Sequence, residues 1–419
     1  MTPARRMAEE LSLVSHHQEP GRQPGVRIAN VLFDDRFGGP PKRVVLVARR
    51  LEREAIQTLL YVPDGGGNVV ELARAAGVDT RRVRFQRMPK PRDLWGIVRW
   101  LCGLPRDIAR FISSFRDEPP ALVHVNGAFF VAPAVAAKIL RLPLVWHLND
   151  TIVGWPIAPL LGVVVRILAD RVVVAAEAVA THYGVAGAEH HVVYAPVQVE
   201  QFETFPTTRR ETRTRAIRLG LIANWNPTKG IEHFVRACAL LRQTSGTQLE
   251  MVFAGARLTT QADYCQDIDD LIDALGLRTS VHQLGFVSDI PKVMSEIDVL
   301  VLSSTAEACP MVVLEAMAAG VPVVATDVGG VRELLRPGTA DEAGLVVPPR
   351  DPSAIASAVQ RLFDAPGTAR RLGQNGYRAA RERFCLESCV VKHRDIYLTV
   401  LRNHRRRHDR RGHGSWHAS

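Results

Sequence analysis

The sequence predicts an α/β protein of two successive domains, each a parallel sheet with helices on both faces. Three observations carry this reading. The 419-residue chain is longer than one hydrophobic core ordinarily serves. Short β-rich apolar runs alternate with helical patterns along it. After a charged, Pro- and Thr-rich stretch, FETFPTTRRETRTR (202–215), the alternation starts again.

In the first half the expected strands are VRIANVLF (26–33), ALVHV (121–125), LPLVWH (142–147) and RVVVA (171–175), with helical patterns such as KRVVLVARRLER (42–53) between them. In the second half IRLGLIA (217–223) reads as a strand, NWNPTKG as a loop and IEHFVRACALLR as a helix. LEMVFAG, VHQLGF, IDVLVLSS, VPVVATD and GLVVPP then follow as strands with helices between. From Ser353 the chain is helical in character, and Phe384, Val390, Val391, Ile396, Tyr397 and Leu401 form an apolar stripe. The expected layout is a flexible tail (1–24), a first domain (25–204), a linker (205–215), a second domain (216–383), a closing helix (384–402) and a basic tail (403–419).

Apolar residues at 47% and charged residues at 23% are a globular balance, which argues against disorder. No apolar run reaches the roughly 18 uncharged residues of a membrane span. The nearest, Ile157 to Ala169, is short and contains Arg166. The polar first 25 residues lack a signal core, so a cytoplasmic location is expected. The six cysteines form no CxxC pair and read as reduced thiols; Cys385 and Cys389 have no companion pair for a metal site. Asn149-Asp150-Thr151 matches a glycosylation sequon, read here as fortuitous. The net charge of +10 is concentrated: residues 81–116 hold ten Lys or Arg against two Asp, together with Trp95, Trp100, Phe111 and Phe115.

The stretch EACPMVVLE (307–315) sets one glutamate in a loop and another in an apolar helix. With VLVLSS as a buried strand, Pro310 suits the first helical position and Gly320 the C-terminal cap. Ligands of open α/β sheets bind beyond the carboxyl ends of the strands. The amides of Met311, Val312 and Val313 would make the helix start an anion site. Glu315, a turn deeper, could accept two hydrogen bonds from a ribose diol, and Glu307 one from a neighbouring sugar hydroxyl. Isolated glutamates would read as solvated carboxylates. Here Leu314, Ala316, Met317, Ala318 and Ala319 make the helix apolar almost all round, and a glutamate inside it needs a partner.

SSTAEACPMVVLEAMAAGVPVVATDVGGVREL resembles the signature of the retaining glycosyltransferases of family 4, or group 1, which have the GT-B fold. The resemblance runs from about Val26 to Arg402 and is strongest in the second domain. It implies two Rossmann-like α/β/α domains facing a central cleft, with the C-terminal helix returning to the first. It also implies that Glu315 holds the ribose of a nucleotide-sugar, that Glu307 contacts the donor sugar, and that the Met311 and Val312 amides meet the diphosphate. Backbone around Val287, in GFVSD (285–289), would hold the base. The family's usual Gly-Phe-Gly or Gly-Phe-Pro after the first glutamate is Ala308-Cys309-Pro310 here, which changes the space beside the donor sugar.

ANWNPTKG resembles the family's Gly-Arg-x-x-Pro-x-Lys-Gly loop, and Lys229 falls on the lysine that neutralises the diphosphate. A cation aimed at the departing oxygens favours the transition state. The family's arginine is Asn224, which donates hydrogen bonds without charge, and its preceding glycine is Ala223. In the first domain Gly38-Gly39 resembles the loop beside the donor phosphates, and Arg43 a basic position of the following helix. His147, at a predicted strand end, resembles a histidine that contacts the donor sugar or the reacting centre. Asp150 would orient it, meet the acceptor or cap the next helix. His124 matches another frequent histidine, and Asn126 and Gly127 begin a loop read as acceptor-binding.

The expected activity is transfer of a hexosyl group, with retention, from a nucleotide-diphosphate-sugar to a hydroxyl of a saccharide or lipid-linked acceptor, in polysaccharide or glycolipid synthesis. No Asp-x-Asp motif stands out in a suitable loop, so no metal and no cofactor are expected; DIDD (267–270) lies in a helical pattern. The Arg, Trp and Phe of 81–116 suit an anionic membrane surface, on the inner face of the cell membrane, or else a packed amphipathic helix broken at Pro105. The basic tail offers only non-specific attraction to nucleic acid. Two competing readings are a non-catalytic GT-B scaffold, which Asn224 and Ala308 favour, and a GT-B sugar epimerase.

Overall fold

The computed structural model describes residues 25–35, 38–86, 93–187, 189–202, 216–245 and 248–413. The expected tail (1–24) and linker (205–215) lie outside the described residues, as do 87–92 of the basic segment and 414–419 of the C-terminal stretch. The chain divides into two compact units, one holding Met1–Ala195 and Cys389–Ser419, the other Pro196–Ser388.

The first unit is built on a seven-stranded sheet in the order β3-β2-β1-β4-β5-β6-β7. Its strands are β1 (Val26–Val31), β2 (Ile56–Pro63), β3 (Asp79–Val83), β4 (Leu122–Asn126), β5 (Leu144–Leu148), β6 (Arg171–Val174) and β7 (His190–Val192). All neighbouring pairs are parallel. Parallel strands need crossovers, supplied by α1 (Gly39–Leu51), α2 (Val69–Ala75), α3 (Leu94–Asp117), α4 (Val131–Ile139), α5 (Ile157–Leu168) and α6 (Glu177–His182). Strands β1, β4 and β5 are apolar runs because helices cover both faces, and Ile28, Leu122 and Leu144 are fully buried. The edge strands β3 (DTRRV) and β7 (HHV) are partly exposed and carry no apolar run; the sequence does not announce them. Strand β2 is largely buried and lies outside the expected strands.

Asp93 caps α3 by accepting a hydrogen bond from the Gly96 amide at 2.8 Å. The helix then runs unbroken through Pro105. Leu101 and Pro105 both lie on its exposed side, so water can take up the carbonyl that Pro105 leaves without a donor.

The second unit holds a six-stranded sheet in the order β10-β9-β8-β11-β12-β13. The strands are β8 (Ile217–Ile222), β9 (Leu249–Ala254), β10 (Val281–Gly285), β11 (Val299–Leu302), β12 (Val323–Thr326) and β13 (Gly344–Val347). Helices α7 (Ile231–Ser245), α8 (Ala262–Ala274), α9 (Ile290–Glu296), α10 (Met311–Ala318), α11 (Val331–Leu335), α12 (Pro352–Asp364) and α13 (Pro366–Arg383) connect and close it. Its core gathers Leu219, Phe234, Met251, Phe253, Val301 and Val359. In both sheets the strand order reverses beside the first strand, between β1 and β4 and between β8 and β11. These reversals are where an open α/β sheet leaves a crevice for ligands.

The last helix, α14 (Leu386–His413), begins in the second unit and belongs to the first from Cys389 onward. There Tyr397 Oη lies 2.6 Å from His124 Nδ1, and Lys392 Nζ donates to the Val192 carbonyl at 3.3 Å. The helix extends beyond residue 402, through the first part of the basic stretch. Val390, Ile396 and Tyr397 of the expected stripe are buried, as are Cys389 and His393. None of the six cysteines is in a disulfide.

Candidate functional site

In the second unit the loop after β8 and the loop after β11 meet at the strand reversal. The first carries Asn224 to Gly230, the second Ser303 to Pro310. Asn226 caps the turn by accepting from the Thr228 amide at 3.1 Å, and Gly230 closes it at φ +58°. The turn is stitched to the other loop by Thr305 N donating to the Thr228 carbonyl at 2.8 Å and Ser303 Oγ to the Lys229 carbonyl at 2.9 Å. So fixed, Lys229 Nζ donates to Glu307 Oε1 at 2.7 Å. Ser304 Oγ donates to the same oxygen at 2.7 Å. Both side chains of the pair are largely shielded, with 27% of Lys229 and 13% of Glu307 exposed, so the ion pair sits where solvent screens it weakly.

The loop after β12 buttresses this arrangement. Thr326 Oγ1 donates to the Ser304 carbonyl at 2.6 Å, and Gly330 N donates to the Ala308 carbonyl at 2.8 Å. Gly329, at φ +50°, lies so close to the Glu307 carbonyl that a Cβ would collide with it. Ser304, Thr326 and Gly329 had no expected role; the Ser-Ser and Val-Gly-Gly within the signature are the available signal.

Pro310, expected at the first helical position, is the N-cap of α10, so the helix starts one residue later than expected, and Gly320 follows it at φ +64°. Val313 N already donates to the Pro310 carbonyl at 3.1 Å. That leaves the Met311 and Val312 amides, both on half-buried residues, as the leading donors of the helix tip. Glu315 is buried within α10, with 9% exposure. Asn224 Oδ1 accepts from the Ala256 amide at 2.9 Å, tying its loop to the one after β9, so its amide NH2 is what it can offer an anion. Val287 is half-buried beside the exposed Phe286, in a loop that Gly285 turns at φ +65°.

In the first unit the expected residues converge on Arg43, expected only as a basic position of its helix. Arg43 of α1 is buried; its Nη1 donates to His147 Nε2 and to Asn149 Oδ1, both at 2.8 Å, and its Nη2 to Asn126 Oδ1. Asn126 Nδ2 in turn donates to Asn30 Oδ1 at 2.6 Å. Because arginine can only donate, His147 Nε2 must accept, and its ring proton lies on Nδ1. His147 was expected to contact a ligand. It is fully buried on β5, where its Nε2 meets Arg43, whose Nη1 also reaches Asn149. Asn126 is buried as well, its amide committed to Arg43 and Asn30.

Asn149 and Asp150, half-buried, are the residues that leave the strand end. Asp150 Oδ1 accepts from Tyr183 Oη at 3.0 Å and from the Ile152 amide at 3.2 Å. The rings of His124 and His147 stack, with centroids 5.6 Å apart, and His393 adjoins both. Burial pushes all three far down, to about 3 for His393, and the Arg43 charge adds to the effect. Gly38 is exposed and extended, and a Cβ built there meets nothing within 4 Å among the described residues, so neither backbone nor packing demands glycine. Gly39 opens α1 ahead of Pro40 and Pro41. Among the described residues no group of His, Cys, Asp and Glu could hold a metal ion.

Two family models match the chain, one described as Glycosyltransferase Family 4 over residues 37–201 and one as Glycosyl transferases group 1 over 208–379. The chain belongs to the group 1, family 4 glycosyltransferases, with the GT-B fold. It is 29% identical over 354 residues to the alpha-D-kanosaminyltransferase of Streptomyces kanamyceticus, covering 76% of this chain and 88% of that protein. It is 29% identical over 223 residues to the MMP alpha-(1->4)-mannosyltransferase of Mycolicibacterium hassiacum, covering 53% of this chain and 51% of that one. Anabaena HepE in complex with UDP matches in fold with a TM-score of 0.74 at 22% identity, over 90% of this chain and 100% of that chain.

Proposed function

We propose that the protein transfers a hexosyl group from a nucleotide-diphosphate-sugar to an acceptor hydroxyl, with retention and without a metal ion. The observation that carries this is the Lys229–Glu307 pair, held at the strand reversal beside the start of α10. Lys229 and the Met311 and Val312 amides stabilise the charge that develops on the diphosphate as its bond to the sugar C1 breaks. Glu307 accepts from a donor-sugar hydroxyl, and Glu315 from the ribose. The departing diphosphate oxygen takes the proton of the acceptor hydroxyl as the new bond forms on the same face of C1. Val287 lies along the base, and Asn224 donates to the phosphates. In the first unit Gly38, a glycine the fold itself does not require, and Gly39 let a ligand approach the backbone closely. That HepE is described with UDP and with UDP-glucose, and that both relatives above are named as glycosyltransferases, supports a nucleotide-sugar donor.

On the acceptor side Asp150 meets the incoming saccharide, while Asn126 and His147 hold Arg43. The acceptor is a saccharide or lipid-linked saccharide of polysaccharide or glycolipid synthesis, reached at the inner face of the cell membrane through 81–116. Helix α3 supports this, exposing Trp95, Val98 and Leu101 beside Arg99 and Arg106. The test is nucleoside-diphosphate release from a panel of nucleotide-sugars, with and without a chelator. Release that survives chelation and is lost in Lys229→Ala and Glu307→Ala is expected. Binding of a nucleotide-sugar without turnover, with every acceptor class offered, would replace this reading with that of a scaffold.

A further inference from the structure

Helix α5 and the loop before it are packed the wrong way round for a helix facing water. The buried side of α5 is Ala158, Gly162 and Val165. Gly162 lies so close to the Tyr183 carbonyl that a Cβ there would collide with it, so the helix seats its small residues on the unit. Three of its large residues point out: Leu160, Val163 and Ile167, at i, i+3 and i+7, are exposed, while Ile157, Leu161, Val164 and Leu168 are half-buried. The preceding loop adds Ile152 at 82% and Trp155 at 85% exposure. Five large apolar side chains on one short stretch are an interaction surface, not the scattered apolar residues of an ordinary exterior.

We propose that this face, Ile152 to Ile167, inserts into an anionic lipid surface; the inference rests on the reading that the protein works at a membrane, and adds a second anchor to α3. Charge chooses lipid over a second copy of the chain. Residues 151–169 contain Arg166 and no acidic residue. Arg166 and Arg141, at the end of α4, are both exposed, and α4 touches both α3 and α5, so the exposed Arg99 and Arg106 of α3 belong to the same helix layer. In a self-associated pair these cations would oppose their own copies on a chain of net charge +10. Against anionic headgroups they add attraction to the burial of the apolar face, and Trp155 is a side chain suited to the headgroup boundary.

The test is flotation of the full chain with vesicles of phosphatidylcholine and phosphatidylglycerol, and with phosphatidylcholine alone. The variants are Leu160→Gln/Val163→Asn/Ile167→Gln, and Trp95→Ala/Val98→Asn on α3. Because the substituted residues of α5 are exposed, its melting temperature should match wild type. The expected result is binding of wild type to the anionic vesicles, and partitioning about tenfold weaker or worse in the α5 variant. Wild-type partitioning by the α5 variant alongside loss in the α3 variant overturns the inference and leaves the membrane reading standing. Absence of wild-type binding to either vesicle overturns both. A wild-type dimer that the α5 variant converts to monomer in size-exclusion also overturns it, by making the face a self-interface.

Discussion

Lys229 and Glu307, separated by 78 positions in the chain, form an ion pair of 2.7 Å at the ends of adjacent strands β8 and β11. Ser304 shares the same Glu307 oxygen, so the carboxylate is held even before a ligand arrives. If the two side chains serve one reacting centre, their losses should not add. Lys229→Met and Glu307→Gln are each expected to lower kcat by about 10²–10³, the scale of removing one group that stabilises transition-state charge. The double variant should fall little further. Steady-state kinetics of the three variants read this directly, and multiplicative losses would mean that the pair acts at separate steps.

Gly230 links this chemistry to backbone geometry. It sits at φ +58°, and a Cβ there would drive into the Ser303 carbonyl, whose own hydroxyl holds the Lys229 carbonyl. Gly230→Ala therefore meets both a disfavoured conformation and a clash that only movement of the Lys229 turn can relieve. A stability loss of about 1–3 kcal/mol is expected. A fall in kcat larger than that of a stability-matched core variant in the same unit would show that Lys229 itself has moved; urea denaturation and kinetics on the same preparations separate the two.

The second sheet was legible because β9, β11, β12 and β13 are mostly buried runs with punctuated loops at their carboxyl ends, although its edge strand β10 is partly exposed. Lys229 and Glu307 in those loops, and Glu315 a turn into α10, stand out from local pattern together with resemblance. The edge strands β3 and β7 were not legible: one face is wet, so selection for apolar residues is relaxed. The role of Arg43 was not legible either, since its partners Asn126, His147 and Asn149 lie 83 to 106 positions away and only the fold assembles them. The burial of His147 was not legible, because alternation along a strand does not tell which face is covered when both are. Helix α5 is the sharpest case. Its composition marks it as apolar, and helical periodicity alone assigns the large residues inward; the Gly162 contact with Tyr183 reverses that.

Glu315 offers a way to separate binding from chemistry. It is buried in an apolar helix, so replacement by an isosteric amide preserves packing while removing a charged acceptor. Loss of such a bond is worth about 1.5–3 kcal/mol, or roughly ten- to hundredfold in affinity. Glu315→Gln should raise the donor KM by that factor with kcat nearly unchanged, since the ribose is held alike in ground and transition states. A drop in kcat at constant KM would move Glu315 from holding the nucleotide to stabilising the reacting centre.

His124, His147 and His393 make the first unit's stability depend on pH, and the sign follows from their burial. In the native state all three stay neutral far below the usual imidazole range, His393 down to about 3. In the unfolded chain each takes up a proton near pH ~6.5. Below that value the unfolded state binds more protons than the native one, so stability falls as pH falls and is level above it. Each group contributes a slope of about 1.4 kcal/mol per pH unit, or about 4 kcal/mol for the three by one unit below their unfolded value. Urea denaturation between about pH 7.5 and 5.5 should show this loss in the transition of the first unit, and His393→Gln, though less stable overall, should remove about a third of it. An undiminished pH slope in that variant would mean that the proton uptake comes from histidines outside this stack.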